Sequence, residues 1–149
     1  MSIKNTTARL ISIQSIYFFE VSDVVFENQI ENVSDTIKHI IKQDEHIFKK
    51  TNKKFATDLI KKTCLHREKI DAIITGYLNK YDSISRLSGV LRSILRCAVG
   101  ELSYCDTPYK VVIDEYTKLT KDFFSINEVN FINAILDKIA KDIKGEVNK

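Results

Sequence analysis

A chain of 149 residues, 44% apolar, is long enough to bury a core without disulfides or metal. One proline and four glycines fall far below average usage and are too few for the tight turns of a β-sandwich, barrel or Greek key. The net charge of +3 names no partner by itself, and Cys64, Cys97 and Cys105 have the odd number and irregular spacing of reduced, buried thiols rather than of a disulfide or zinc framework.

Apolar residues recurring at helical spacing predict helices from one end of the chain to the other. In the first, Leu10, Ile13, Tyr17 and Val21 share a face, with Thr6 or Thr7 available as the cap. Arg9 and Ile16 flank that face on one side, Ile11 and Phe18 on the other. Gln14 falls in the middle of it, where an amide must find a backbone, partner or ligand group. A short helix follows near Ser34–Lys42, with Ile37, Ile40 and Ile41 inward. A longer one spans about 46–66, with Phe48, Phe55, Leu59 and Ile60 inward. After a break near His66, Ile70, Ile73, Ile74, Tyr77 and Leu78 continue the pattern. Tyr81–Ser85 then reads as a linker between two sub-bundles, about 1–80 and 86–144, of a single domain spanning 1–149.

The second half is more regular. Leu91, Ile94, Leu95, Ala98, Leu102 and Cys105 form a buried stripe, with Arg92 and Arg96 together on its flank. Asp106-Thr107-Pro108 is a helix start with proline at the first helical position, and Val112, Tyr116, Leu119 and Phe123 point inward from it. The last helix starts with Asn127 as its cap and turns Ile132, Ile135, Leu136, Ile139 and Ile143 inward, while Phe131 sits on the rim as core or stacking platform. No convincing strand is present. The fold class is all-α, with six to seven helices in packed bundles.

Charge is unevenly spread. Residues 20–45 hold seven carboxylates against two lysines, a net −5, and residues 49–69 hold eight cations against two carboxylates, a net +6. Such a lysine run is either the solvated side of a helix or a steering surface for a polyanion. No N-terminal signal and no apolar run of membrane-spanning length is visible, so a soluble, cytoplasmic protein without membrane contact is expected.

Chemistry-bearing constellations are missing. His39, His46 and His66 lack metal-ligand spacing, Gly76, Gly89, Gly100 and Gly145 form no phosphate loop, and the adjacent Asp114 and Glu115 point to different sides of a helix. No catalytic residue, metal or cofactor is expected.

Three segments in order carry a family likeness. Leu87-Ser-Gly-Val-Leu-Arg-Ser-Ile-Leu-Arg-Cys-Ala-Val-Gly-Glu-Leu102, then Pro108-Tyr-Lys-Val-Val-Ile-Asp-Glu115, then Asn130-Phe-Ile-Asn-Ala-Ile-Leu-Asp137 resemble signatures of the NusB family. Ala8-Arg9 with Gln14 and Tyr17 is similar to the end of its N-terminal motif. The resemblance implies two perpendicular three-helix bundles and a non-catalytic role in bacterial transcription antitermination and ribosomal RNA synthesis. It implies binding of boxA-type single-stranded RNA together with the small-subunit ribosomal protein NusE, and indirect association with other Nus factors and RNA polymerase. It also implies an RNA-facing set of Lys4, Arg9, Gln14, Tyr17, Arg96, Asn127 and Phe131 and a protein-facing set of Arg86, Leu91 and Arg92. Gln14 then either pairs with a base edge or bonds to backbone.

Thr6 and Thr7 stand where the family usually has paired arginines, Asp114 where it has Asn and Ala134 where it has Gly. Fewer cations there imply RNA binding that leans on the partner protein and a shallower salt dependence. Two other readings compete: a protein-interaction adaptor with only indirect RNA contact, and an accessory domain to an RNA-modifying enzyme, for whose catalytic half the chain has no room. The sequence does not decide between a monomer and a homodimer.

Overall fold

The computed structural model describes residues 2–80 and 82–147, so Tyr81 of the expected linker lies outside the described residues. They form eight α-helices: α1 (Ile3–Val21), α2 (Val33–Gln43), α3 (Glu45–Phe48), α4 (Lys53–Leu65), α5 (Arg67–Tyr77), α6 (Gly89–Tyr104), α7 (Tyr109–Lys121) and α8 (Ile126–Val147). Two 3₁₀ turns, Phe26–Asn32 and Ile84–Arg86, complete the set. Among the described residues there is no strand, and no helix is long and apolar enough to cross a membrane.

α1 begins earlier than its threonines suggest. Ser2 is the cap, its hydroxyl accepting the Lys4 N–H at 3.1 Å, and Thr6 and Thr7 lie within the helix. The helix ends in a Schellman turn: Val24 N–H reaches the Phe19 carbonyl, Asp23 N–H reaches that of Glu20, and Asp23 takes the left-handed conformation at φ 54°. Its buried face is also not the expected one. Ala8, Ile11, Ser12, Ser15, Ile16 and Phe19 are buried together with Ile13, whereas Gln14 and Tyr17 are exposed and Val21 is 60% exposed. The two buried serines are cheap to bury because each hydroxyl donates to the carbonyl four residues back, Ser12 to Ala8 at 2.9 Å and Ser15 to Ile11 at 2.8 Å.

The expected helix over 46–66 is interrupted. Asn52 caps α4 by accepting the Phe55 N–H at 3.0 Å, so residues 49–52 form a corner and α3 is only a short turn before it. The break at His66 holds, and the His66 ring stacks on Tyr104 at 3.8 Å.

α6 is the central element. Every residue from Leu91 to Glu101 except Arg92 is buried, and the helix packs on α1, α4 and α5 on one side and on α7 and α8 on the other. The core residues of both halves belong to one continuous cluster. Each isoleucine removed from water there contributes roughly 1.5–3 kcal/mol. Close approach of α4 depends on Gly100, where a Cβ would lie 2.7 Å from Thr63 Oγ1.

Pro108 caps α7 rather than opening it, its carbonyl accepting the N–H groups of Val111 and Val112. At the other end Phe123 is 44% exposed and its neighbour Phe124 packs on the core instead. α8 starts one residue ahead of the expected cap, with the Ser125 carbonyl accepting the Val129 N–H, so Asn127 lies inside the helix and is exposed. Burial pushes the Cys64 thiol up to about 12 and the half-buried Cys105 thiol up to about 11, so neither is a ready nucleophile.

Candidate partner and nucleic-acid surfaces

The arginines of the expected sites turn out to serve the interior. Arg9 is 3% exposed and forms a fork on Glu101, with Nε at 2.9 Å from Oε1 and Nη2 at 2.7 Å from Oε2. Its Nη1 lies 3.5 Å from Glu115, to which the Thr6 hydroxyl also donates at 3.2 Å, and the Tyr116 hydroxyl donates to Glu101 at 2.9 Å. Burial alone would lower the Arg9 pKa, but the hydrogen bond and charge of Glu101 outweigh it and hold the guanidinium above its ordinary value. With two carboxylates around one cation, this node has no charge to offer a phosphate. It joins the N-terminal, α6 and α7 motifs of the family likeness through one buried residue of each.

Arg96, also expected to face RNA, is likewise buried. It is 4% exposed, its Nε and Nη2 donate to Asp71 at 2.9 and 3.0 Å, and its Nη1 donates to Glu20 at 2.8 Å. Arg92, expected to face a protein partner, donates to Glu20 and to the carbonyls of Ile84 and Leu87, and so fastens the second 3₁₀ turn to α6. Burial would raise the Glu20 pKa, yet the bond from Arg92 and the charges of Arg92 and Arg96 hold it below the usual carboxylate value. Leu91, also expected at the interface, is 7% exposed and belongs to the core.

The remaining expected residues divide between two ends of α1. Around the first turn of α6 lie Tyr17, 37% exposed, and a shallow cleft of about 260 Å³ lined by Asn127 and Phe131 with Asp82, Leu87, Leu91 and Glu128. Tyr17 rests on Gly89, where a Cβ would lie 2.8 Å from its ring. Arg86 is exposed in the adjoining 3₁₀ turn. Lys4 is at the opposite end, ~20 Å from Tyr17 along the helix axis at 1.5 Å per residue.

One feature of this surface escaped the sequence reading. Tyr17, Phe18 and Val21 of α1 face Ile40 of α2 and Ile47 of α3 across a largely apolar groove of about 800 Å³, with Asp35 and Asp44 also lining it. Gln14 lies in this groove, exposed rather than buried. Carboxylates beside an apolar floor suit a protein segment better than a phosphate backbone. The signal for this face was the run of small residues, Ala8, Ser12 and Ser15, which marks the opposite face of α1 as the close-packed one.

Among the described residues no group of three or more His, Cys, Asp and Glu could hold a metal ion.

Comparison with known proteins places this arrangement. The sequence pattern of the NusB family matches residues 6–141. The transcription antitermination protein NusB of Sinorhizobium fredii is 31% identical over 145 residues, 95% of this chain and 89% of its own length. Its counterpart of the same name from Rickettsia massiliae is 39% identical over 85 residues, 56% of this chain and 54% of its own length. The solved structure of T. maritima NusB superposes with a TM-score of 0.71 at 30% identity, covering 91% of this chain and 89% of that one. With its sequence matched over residues 6–141 and its fold superposing over 91% of its length, the chain belongs to the NusB family of transcription antitermination factors.

Proposed function

We propose that the protein is a non-catalytic RNA-binding factor of bacterial transcription antitermination and ribosomal RNA synthesis, which binds boxA-type single-stranded RNA jointly with the ribosomal protein NusE and reaches RNA polymerase through other Nus factors. The observation that supports this reading most directly is the match to the family over residues 6–141, which keeps the α8 segment carrying Asn127 and Phe131 within it. An aromatic ring and an amide at the mouth of a cleft suit unstacked bases, each stacked base supplying roughly 1–3 kcal/mol. The acid-lined groove between α1 and α2 supports a protein partner on the adjoining face.

The test is a titration of labelled boxA-type RNA with and without NusE. A shift that strengthens with NusE and is weakened about tenfold or more by Phe131→Ala, with the helical circular dichroism unchanged, is the expected result. No shift in either arm overturns the reading. Arg9→Ala cannot serve as the probe, since a buried ion pair is lost with it.

The groove also favours a second reading, a protein-interaction adaptor with only indirect RNA contact. It predicts full NusE binding by a chain that leaves RNA affinity unchanged.

A further inference from the structure

The corner between α3 and α4 is tied to the first turns of α1. Asn52 donates its N–H to the Lys4 carbonyl at 3.1 Å and its Nδ2 to Asn5 Oδ1 at 2.9 Å, and the Thr51 hydroxyl donates to Thr7 Oγ1 at 3.1 Å. These bonds bring Lys4 beside the lysine-rich turn. Lys4, Lys49, Lys50, Lys53, Lys54 and Lys61 are all exposed, and none has an ion-pair partner among the described residues. Lys54 and Lys61, seven residues apart, lie on the same face of α4.

Gathering unpaired like charges does nothing for folding, because they repel one another; it raises the local potential and attracts an anion. Phe55, half-buried, lines a cleft of about 620 Å³ together with Lys53, Lys54 and Lys61. The carboxylate in that cleft, Asp58, is bound to Lys62 at 3.0 Å. A second cleft of about 460 Å³, also lined by Phe55, holds the Asp58–Lys62 pair, Asp106 and the Arg9 guanidinium that lies over the Phe55 ring and is bound to Glu101, so it offers a phosphate no unpaired cation. The favourable track therefore runs over the corner and along the outer face of α4. Cations spaced along a track beside an aromatic ring are the chemistry that holds single-stranded nucleic acid.

We infer that the corner of Lys4, Lys49, Lys50, Lys53, Lys54 and Lys61 beside Phe55 is a contact surface for the phosphate backbone of single-stranded RNA. It rests on the RNA-binding reading above and extends it to the end of α1 remote from Tyr17 and Phe131. Contact there is indifferent to base sequence, so it adds affinity and on-rate to whatever the α8 end recognises.

The experiment is a salt titration of two labelled oligonucleotides, a boxA-type RNA and an oligouridine of equal length, against the wild type and the variant Lys49→Gln/Lys50→Gln/Lys53→Gln/Lys54→Gln. The variant is expected to bind both RNAs about tenfold or more weakly near 0.1 M salt. Its log–log salt slope should be shallower by up to about 3, at roughly 0.7 per lost phosphate contact. Arginine at the same four positions should restore binding. As a readout free of mutation, RNA should protect these lysines of the wild type from acetylation. Unchanged affinity and slope together with no protection overturns the inference, and leaves the boxA reading standing if the wild type still prefers that RNA. Patch-dependent binding without any boxA preference, with or without NusE, upholds the inference and overturns the boxA reading instead. Protection of the lysines by anionic phosphatidylserine vesicles but not by RNA overturns the inference in favour of a membrane surface.

Discussion

Arg9, Arg92 and Arg96 each lie within hydrogen-bond reach of a carboxylate and expose at most 15% of their side chains, whereas Lys4, Lys49, Lys50, Lys53, Lys54 and Lys61 stand exposed and, among the described residues, without an ion-pair partner. The difference follows from the two head groups. A guanidinium is planar, weakly hydrated and able to fork onto a carboxylate, so it can be buried once its donors are matched, while an ammonium keeps its water. These three arginines thus hold helices together, while these six lysines are left for something outside the molecule. The net charge of +3 is the same sum whichever way they divide, which is why it names no partner.

The sharpest way to break this comparison is Arg9→Ala. Among the described residues it leaves the fully buried Glu101 with the Tyr116 hydroxyl, and Glu115 with the Thr6 hydroxyl, as their remaining side-chain hydrogen-bond partners. A loss of about 3–5 kcal/mol is expected, read as a drop in the urea midpoint at unchanged slope. If Arg9→Ala folds normally and only RNA binding suffers, the assignment of Arg9 to the interior is wrong. Arg96→Ala should cost less, about 2–3 kcal/mol, because Glu20 and Asp71 are 24% and 21% exposed and water can replace part of what they lose.

A smaller effect is tied to pH. The Glu20 pKa is lowered in the folded chain, so its contribution is present at neutral pH and lost as pH falls from the ordinary 4.5 through the lowered folded value. Glu20→Gln should therefore flatten the acid limb of the stability curve, measured by urea melts between pH 3 and 7. An acid limb as steep as the wild type's would show that Arg92 and Arg96 draw their hold on α1 from other groups.

The all-α class and the α6 and α8 faces were legible because each carries one unambiguous apolar stripe: Leu91–Ile94–Leu95–Ala98 and Ile132–Ile135–Leu136–Ile139 are buried as the spacing predicts. α1 was not, since apolar residues occupy nearly its whole circumference and Ile11, Ile16 and Phe19 compete with Leu10, Tyr17 and Val21 for the inward face. Periodicity cannot rank two stripes of equal strength; the serines that satisfy themselves at i−4 could. The burial of the arginines expected to face RNA was hidden for a different reason. Glu101 and Glu115 come within reach of Arg9 only through packing between helices about 90 and more residues apart in sequence, a distance over which no local pattern carries information. The lysine corner, by contrast, was visible as a charge run. What the run could not show was the break at residues 49–52, which turns a helical side into a corner against Lys4.

The smallest expected effect closes the comparison from the other side. In the four-lysine glutamine variant every altered side chain is exposed, and none takes part in an ion pair among the described residues. Folding should change by no more than about 0.5 kcal/mol, the usual range for surface substitutions that touch no special feature. The sign should be favourable at low salt, since the removed charges repelled one another, and the gain should fade as salt screens that repulsion over a Debye length of about 10 Å at 0.1 M. Urea melts of wild type and variant at low and high salt measure both magnitude and sign. A clear loss of stability would mean that these lysines hold the fold as the arginines do. A small, salt-sensitive gain means that folding has no use for them, as a surface kept for an outside anion requires.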